Sequence, residues 1–268
     1  MTLVVHAGVP KAGSSLVQAA TVANQALLAE AGWSALTYPA IKESATFRAV
    51  RGLLRKRPAP PDVDWDAIRV EFDRSPKVFM SFEDFLFVPN NMFARRNLFH
   101  RTQRVLDFLA ALQERVGDVR IVLVLRDEKA WVESYYVQTV QKGRSWDFDE
   151  YLAASNLSSV NWAHLQELIR SRGLGLGTVG FDTIKQGQEG FLHEVFATAG
   201  VPSPRTVPSK RFNTSYSPAA IEIARTANRV LERPEDRKGV RHFLQRSFSA
   251  KTHGKYRPEW PKGVWEGR

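Results

Sequence analysis

Residues 6–15, His6-Ala7-Gly8-Val9-Pro10-Lys11-Ala12-Gly13-Ser14-Ser15, collect the residue types that a backbone cradle for phosphate needs. Gly8 and Gly13 let the main chain curl closely around an anion, and Lys11 adds a full positive charge. Where such a loop opens a helix, the first N–H groups point outward unpaired, and the peptide dipoles place partial positive charge on them. The interval from Gly8 to Gly13 matches the nucleotide loop G-x-x-x-x-G-K-[ST], but Ser14 stands where that pattern requires Lys. In the ordinary loop, that Lys and the following hydroxyl serve the β/γ-phosphates and Mg²⁺. Here the Lys lies ahead of the second Gly and two hydroxyls follow, which suits a shorter anionic tail bound without a metal. A plain strand-to-helix turn capped by Ser is the bland alternative, but it has no need of Lys11 or Pro10.

The segment Pro10-Lys11-Ala12-Gly13-Ser14-Ser15-Leu16-Val17-Gln18 resembles the P-K-T-G-T-T-x-L-Q segment of sulfotransferases, bacterial and carbohydrate-type members above all. Ala12 departs from it by lacking the usual Thr hydroxyl, so one phosphate contact would have to come from backbone or Ser14. The family's second signature is an Arg at a strand end with a Ser eight residues on, supplied here by Arg126 and Ser134. Residues 131–143 and 211–218 are also similar to bacterial members, so the likeness spans most of residues 1–230. It implies a P-loop NTPase-like sulfotransferase fold and 3′-phosphoadenosine 5′-phosphosulfate (PAPS) as sulfuryl donor. Lys11, Ala12, Gly13, Ser14 and Ser15 would hold one end of the donor, and Arg126 and Ser134 its 3′-phosphate, with no metal expected. The reaction implied is sulfuryl transfer to a hydroxyl or amine acceptor, expected to be a glycan.

Such a transfer needs charge neutralisation at the leaving phosphate, an in-line acceptor and a base for its proton. Lys11 is the expected source of the first. Carbohydrate-type members often place a catalytic Glu or His near the end of the third strand or after the first helix. Glu83, in Ser81-Phe82-Glu83-Asp84, is therefore the expected base, with Glu30 a second choice. The competing reading of Ser81-x-x-Asp84 is a capping-box-like helix start.

The elements that must position these residues follow from periodicity. Residues 3–6 form a short β-branched run ending at Gly8, a buried strand. Residues 15–31 keep helical spacing until Gly32. Further strands are expected over 33–38, 77–82, 120–125 and 178–181, and helices over 102–116 and 128–142, the last capped by Asp127. The apolar run at 120–125 suits a parallel strand covered on both faces. Beyond residue 181 the chain reads as mainly helical. The alternation predicts an α/β fold, an open parallel sheet with helices on both faces, and ligands at the carboxyl ends of its strands. Residues 42–66 and 87–101 read as the loops that would carry acceptor specificity. No linker forces a cut, so residues 1–268 are expected to form a single domain, with 231–268 a basic C-terminal segment.

Composition narrows the class. The chain has 268 residues, 43% hydrophobic and 25% charged, with 7 Trp and 16 Phe, enough apolar area for a core. It has no Cys, which removes disulfides and thiolate chemistry, and no His pair at metal-ligand spacing. His6 reads as a hydrogen-bonded core residue. No stretch reaches membrane-span length, and residues 1–6 do not resemble a secretion signal, so a cytoplasmic setting without integral membrane association is expected.

The excess of 38 Lys+Arg over 28 Asp+Glu gives a net charge of +10, which points to anionic partners. Basic residues gather at Lys42, Arg48, Arg51, Arg55, Lys56 and Arg57, at Arg95, Arg96, Arg101 and Arg104, and over 237–257. They read either as solvated helix faces or as a funnel for an anionic acceptor. Nucleic acid is not expected as a partner, because no helix-turn-helix, zinc finger or RNA-binding sheet motif supports it. Two other functions compete with the transferase. A P-loop kinase or nucleotide-hydrolysing enzyme would want a Lys after Gly13, and a non-catalytic polyanion-binding module would want no donor site at all.

Overall fold

A computed structural model of the chain describes residues 1–55, 63–93, 97–209, 215–248 and 254–265. In chain order it contains β1 (Thr2–His6), α1 (Ser14–Ala23), α2 (Gln25–Glu30), β2 (Ser34–Leu36), α3 (Ala45–Leu54), α4 (Trp65–Arg74), β3 (Lys77–Ser81), α5 (Thr102–Val116) and β4 (Asp118–Leu125). It continues with α6 (Glu128–Gln141), α7 (Phe148–Ala154), α8 (Trp162–Arg170), β5 (Gly175–Gly180), α9 (Gln188–Ala199), α10 (Pro218–Val230) and α11 (Pro234–Ser247). Lys56, Arg57, Arg95, Arg96, Lys251 and residues 211–214 of the second similar segment lie outside the described residues.

The five strands form one sheet in the order β2-β3-β1-β4-β5, every neighbouring pair parallel. Successive side chains of a strand face opposite sides, yet Leu3, Val4, Val5 and His6 are all buried, as are Ile121, Val122, Leu123 and Val124. Both faces of the sheet are therefore covered, which is why these strands read as continuous apolar runs. From β1 the chain leaves toward β2 and β3, and from β4 toward β5. The carboxyl ends of β1 and β4 thus flank the switch point where open α/β sheets bind ligands.

Two compact units divide the chain. One comprises Met1–Met92, Arg96–Arg126 and Ser158–Lys210 and carries the whole sheet; the other comprises Phe93–Arg95, Asp127–Leu157 and Arg211–Arg268. The second unit is built from α6, α7, α10 and α11 around an aromatic cluster. In it Trp131 stacks on Tyr135 at 5.2 Å, and Tyr136 meets Phe148 edge-on, also at 5.2 Å. The Trp260 indole N–H donates to Glu133 Oε1 at 2.8 Å, fastening the C-terminal segment to α6.

Two expectations about elements need correction. The single helix over 15–31 is divided at Asn24 into α1 and α2. Asn24 is buried; its Nδ2 donates to the carbonyls of Ala20 and Thr206, and its Oδ1 accepts from the N–H groups of Arg205 and Thr206. A short amide side chain competes with the helix backbone for hydrogen bonds, and this one fixes a distant strand of chain while doing so. The apolar spacing runs through the break because Leu16, Ala20 and Leu28 are buried in both halves. Residues 42–66, read as a loop, contain α3. Its stripe of Phe47, Val50, Leu53 and Leu54 is buried, but the interleaved Arg48, Arg51 and Arg55 masked it in the sequence. Among the described residues, no helix is long and apolar enough to cross a membrane.

Candidate active site

The loop after β1 is steered by its neighbours before it turns. The N–H groups of Ala7 and Val9 donate to the carbonyls of Val122 and Val124 (3.0 and 3.3 Å), so the chain runs along β4 past the end of β1. It then turns sharply. The Ala12 N–H donates to the Val9 carbonyl at 3.1 Å. Lys11 has φ of 68° and Gly13 has φ of 84°, both left-handed. For a residue with a Cβ that conformation costs about 1–2 kcal/mol, so the surroundings must hold Lys11 there. Arg126 does so: its Nη1 donates to the Lys11 carbonyl at 3.1 Å. Arg126 is itself held, with its guanidinium 5.3 Å over the Phe181 ring and its carbonyl accepting from the Trp162 indole at 2.7 Å. A Cβ on Gly13 would come within 3.1 Å of Phe191 and 3.3 Å of Phe181, tight contacts that add to the strain of a side chain at its positive φ.

Helix α1 starts from this loop with Gly13 as N-cap, no side-chain cap and no acid in its first turn. Side-chain oxygens of Ser44, Asp64, Asp127, Asp147, Asn161 and Ser217 cap α3, α4, α6, α7, α8 and α10. Beside the uncapped start, Ser14 Oγ is buried without a hydrogen-bond partner, and so is His6 Nε2. Both face the bare Cα of Gly8, where an added Cβ would lie 2.7 Å from Ser14 Oγ and 3.1 Å from His6 Nε2. The other nitrogen, His6 Nδ1, meets Ser81 Oγ at 2.8 Å. Burial pushes the His6 imidazole down to about 4, so it is neutral near pH 7.

Glu83 lies half-buried in the turn after β3. The Phe82 N–H donates to the His6 carbonyl at 3.1 Å, which carries Glu83 to the same sheet edge as the loop. No helix starts at Ser81, whose hydroxyl is engaged by His6, so the capping-box reading of Ser81-x-x-Asp84 does not hold. Glu30 ends α2 immediately ahead of β2, which puts it, exposed, at the opposite edge of the sheet. Ser134 is half-buried in α6, about two turns past Asp127. The first unit therefore brings together Lys11, Ala12, Gly13, Ser14, Ser15, Glu83 and Arg126, while Ser134 belongs to the second. Among the described residues there is no group of three or more His, Asp or Glu side chains placed to hold a metal ion.

Sequence reasoning did not single out Phe181 and Phe191 as walls of the loop, nor Gly8 as the gap between two buried polar groups. The available signal was position: Phe181 directly follows β5, the neighbour of β4. What the arrangement can do is bind an oxyanion. It offers an uncapped helix start, an unsatisfied hydroxyl, a lysine in the same loop and a fixed guanidinium beside them.

No protein-family model and no curated protein matches the sequence. A solved structure, that of a sulfotransferase from Alicyclobacillus acidocaldarius, is similar to this chain over 88% of its length and 98% of the other's, at 16% sequence identity and a TM-score of 0.49.

Proposed function

We propose that this protein is a sulfotransferase that uses PAPS to sulfate a hydroxyl acceptor, with a glycan the first class to try, and that residues 1–268 act as one catalytic domain. One observation carries the reading: α1 begins uncapped, over a buried and unsatisfied Ser14 hydroxyl, at the switch point of a parallel sheet. Leaving a buried hydroxyl unpaired costs about 1–3 kcal/mol, and a bound oxyanion would remove that cost. The loop residues thus fit the phosphosulfate end of the donor. Lys11, Gly13, Ser14 and Ser15 would hold it, and Arg126 with Ser134 would serve the 3′-phosphate.

When bound, the donor supplies a sulfuryl group whose bond to a phosphate oxygen breaks as the acceptor oxygen bonds to sulfur. Lys11 neutralises charge on the departing oxygen, and the N–H groups at the start of α1 add fixed dipoles in the same direction. The carboxylate of Glu83 takes the acceptor proton. The kinase alternative lacks its lysine, because Ser14 occupies that position.

Thermal unfolding with adenosine 3′,5′-bisphosphate, with and without Mg²⁺, tests the reading. Stabilisation of about 2.7 kcal/mol at a hundredfold excess over Kd, independent of Mg²⁺, is the expected result. Stabilisation by ATP that requires Mg²⁺ would favour a kinase, and no response to either nucleotide would overturn the proposal. Glu83→Gln is expected to lower turnover about 10²–10⁴-fold at unchanged nucleotide affinity. Activity equal to the parent would place the base elsewhere.

A further inference from the structure

Arg51 is anomalous among the arginines of its region. Its Nη1 is buried and has no hydrogen-bond partner. By contrast Arg48, on the same helix, donates to the Glu43 carbonyl, and Arg101 to the Leu54 carbonyl. The Glu71 carboxylate is engaged at the start of the same helix by the Ser44 hydroxyl and the N–H groups of Ala45 and Thr46. Arg51 as a whole is half-buried, yet leaving one cationic donor atom buried without an acceptor is unfavourable, and a ligand oxyanion would supply that acceptor.

Its position says which ligand. The Arg51 guanidinium lies 5.8 Å over the Phe82 ring, and Phe47, one turn earlier on α3, meets the same ring edge-on at 4.9 Å. Phe82 is tied through its N–H to the end of β1 and immediately precedes Glu83. Arg51 thus lies at the end of β3, on one side of β1, whereas Arg126 lies at the end of β4, on the other. One guanidinium stands by the donor loop and the other over the ring of the residue that precedes the expected base. We infer that Arg51 binds an oxyanion on the acceptor, so that the acceptor is a molecule bearing a carboxylate or a sulfate ester close to the hydroxyl that Glu83 deprotonates. This rests on the sulfotransferase reading above. The planar fork of a guanidinium matches either oxyanion through two parallel N–H bonds.

Binding of three sugars tests the inference: methyl glucuronide, methyl glucoside 6-sulfate and methyl glucoside, each titrated with and without saturating adenosine 3′,5′-bisphosphate. The parent protein is expected to bind at least one of the two anionic sugars tenfold or more tightly than the neutral one, and which of the two it is distinguishes carboxylate from sulfate. R51M is expected to lose that preference, keep its affinity for the bisphosphate within twofold and unfold at a temperature no lower than the parent. R51K, which keeps the charge but not the fork, is expected to lose about three- to tenfold and guards against a misfolded R51M. Equal binding of all three sugars by the parent, or an anionic preference that survives in R51M, would overturn the inference. So would a melting temperature several degrees lower in R51M, which would mark Arg51 as structural. Failure of the parent to bind the bisphosphate, with the Arg51-dependent preference intact, would overturn the sulfotransferase reading and uphold the anion subsite.

Discussion

Helices α1 and α3 belong to the same compact unit and begin in opposite ways. At α3 the first N–H groups are fully used: Ser44 Oγ accepts from Phe47, and the Glu71 carboxylate reaches across from α4 to accept from Ala45 and Thr46 at 2.7 and 3.2 Å. At α1 no side chain caps the start, the N-cap is Gly13, and the buried Ser14 hydroxyl beside it is unsatisfied. The first arrangement contributes stability and leaves nothing for a ligand. The second forgoes that stability, and on the proposed function its donors and charge serve an anion. On the proposed function, the difference separates a helix start that is complete within the chain from one that a ligand completes.

The sharpest break of the comparison is at Lys11. Lys11→Ala is expected to lower turnover about 10³-fold while affinity for adenosine 3′,5′-bisphosphate falls less than tenfold, since the strongest contact of the ammonium belongs to the transition state. Single-turnover kinetics beside equilibrium titration would show it, and turnover within tenfold of the parent would remove Lys11 from the chemistry.

The floor of the α1 loop has a pH signature. The folded-state pKa of His6, about 4, lies below the ordinary 6.5, so the unfolded chain binds the proton first. Stability is therefore complete above about pH 6.5 and falls as pH drops toward 4, by roughly 3 kcal/mol, then levels off. Melting curves of the parent and His6→Gln across that range isolate this group from the carboxylates, and parallel curves would show that His6 is not buried as described.

At α3 the expected effect is purely on stability. Glu71→Ala should cost about 2 kcal/mol by leaving the starting N–H groups of α3 unpaired, with turnover per folded molecule unchanged. Denaturant titration measures the first and active-site-normalised kinetics the second. The counterpart at α1 is the smallest effect and the most diagnostic. Ser14→Ala should leave the unliganded protein as stable as the parent or slightly more so, and weaken binding of the bisphosphate about tenfold, or ~1.4 kcal/mol. A stability loss like that of Glu71→Ala would erase the contrast between the two helices.

Much of the site was legible in the chain because local chemistry writes itself locally. The glycine spacing, Lys11 and the two serines mark the loop proposed to hold phosphate, and strand β4 with Asp127 after it could be read from its apolar run and its cap. The division at Asn24 was not legible, because it depends on Arg205 and Thr206, which lie far away in sequence. Helix α3 was hidden for a different reason: its arginines interrupt the apolar spacing, and only packing shows that Phe47 and Val50 face inward.

By itself the sequence determined the alternation of strands and helices, the parallel sheet that follows from it, and the residues able to meet an oxyanion. Short-range sterics and periodicity are enough for that. The tertiary structure alone decided the order β2-β3-β1-β4-β5, which brings Arg126 to the carbonyl of Lys11 and Glu83 to the end of β1. It alone decided that Ser14, His6 and Arg51 would each carry a buried polar atom with no partner. Whether a polar group is satisfied depends on every element packed around it, and no window of sequence contains that information.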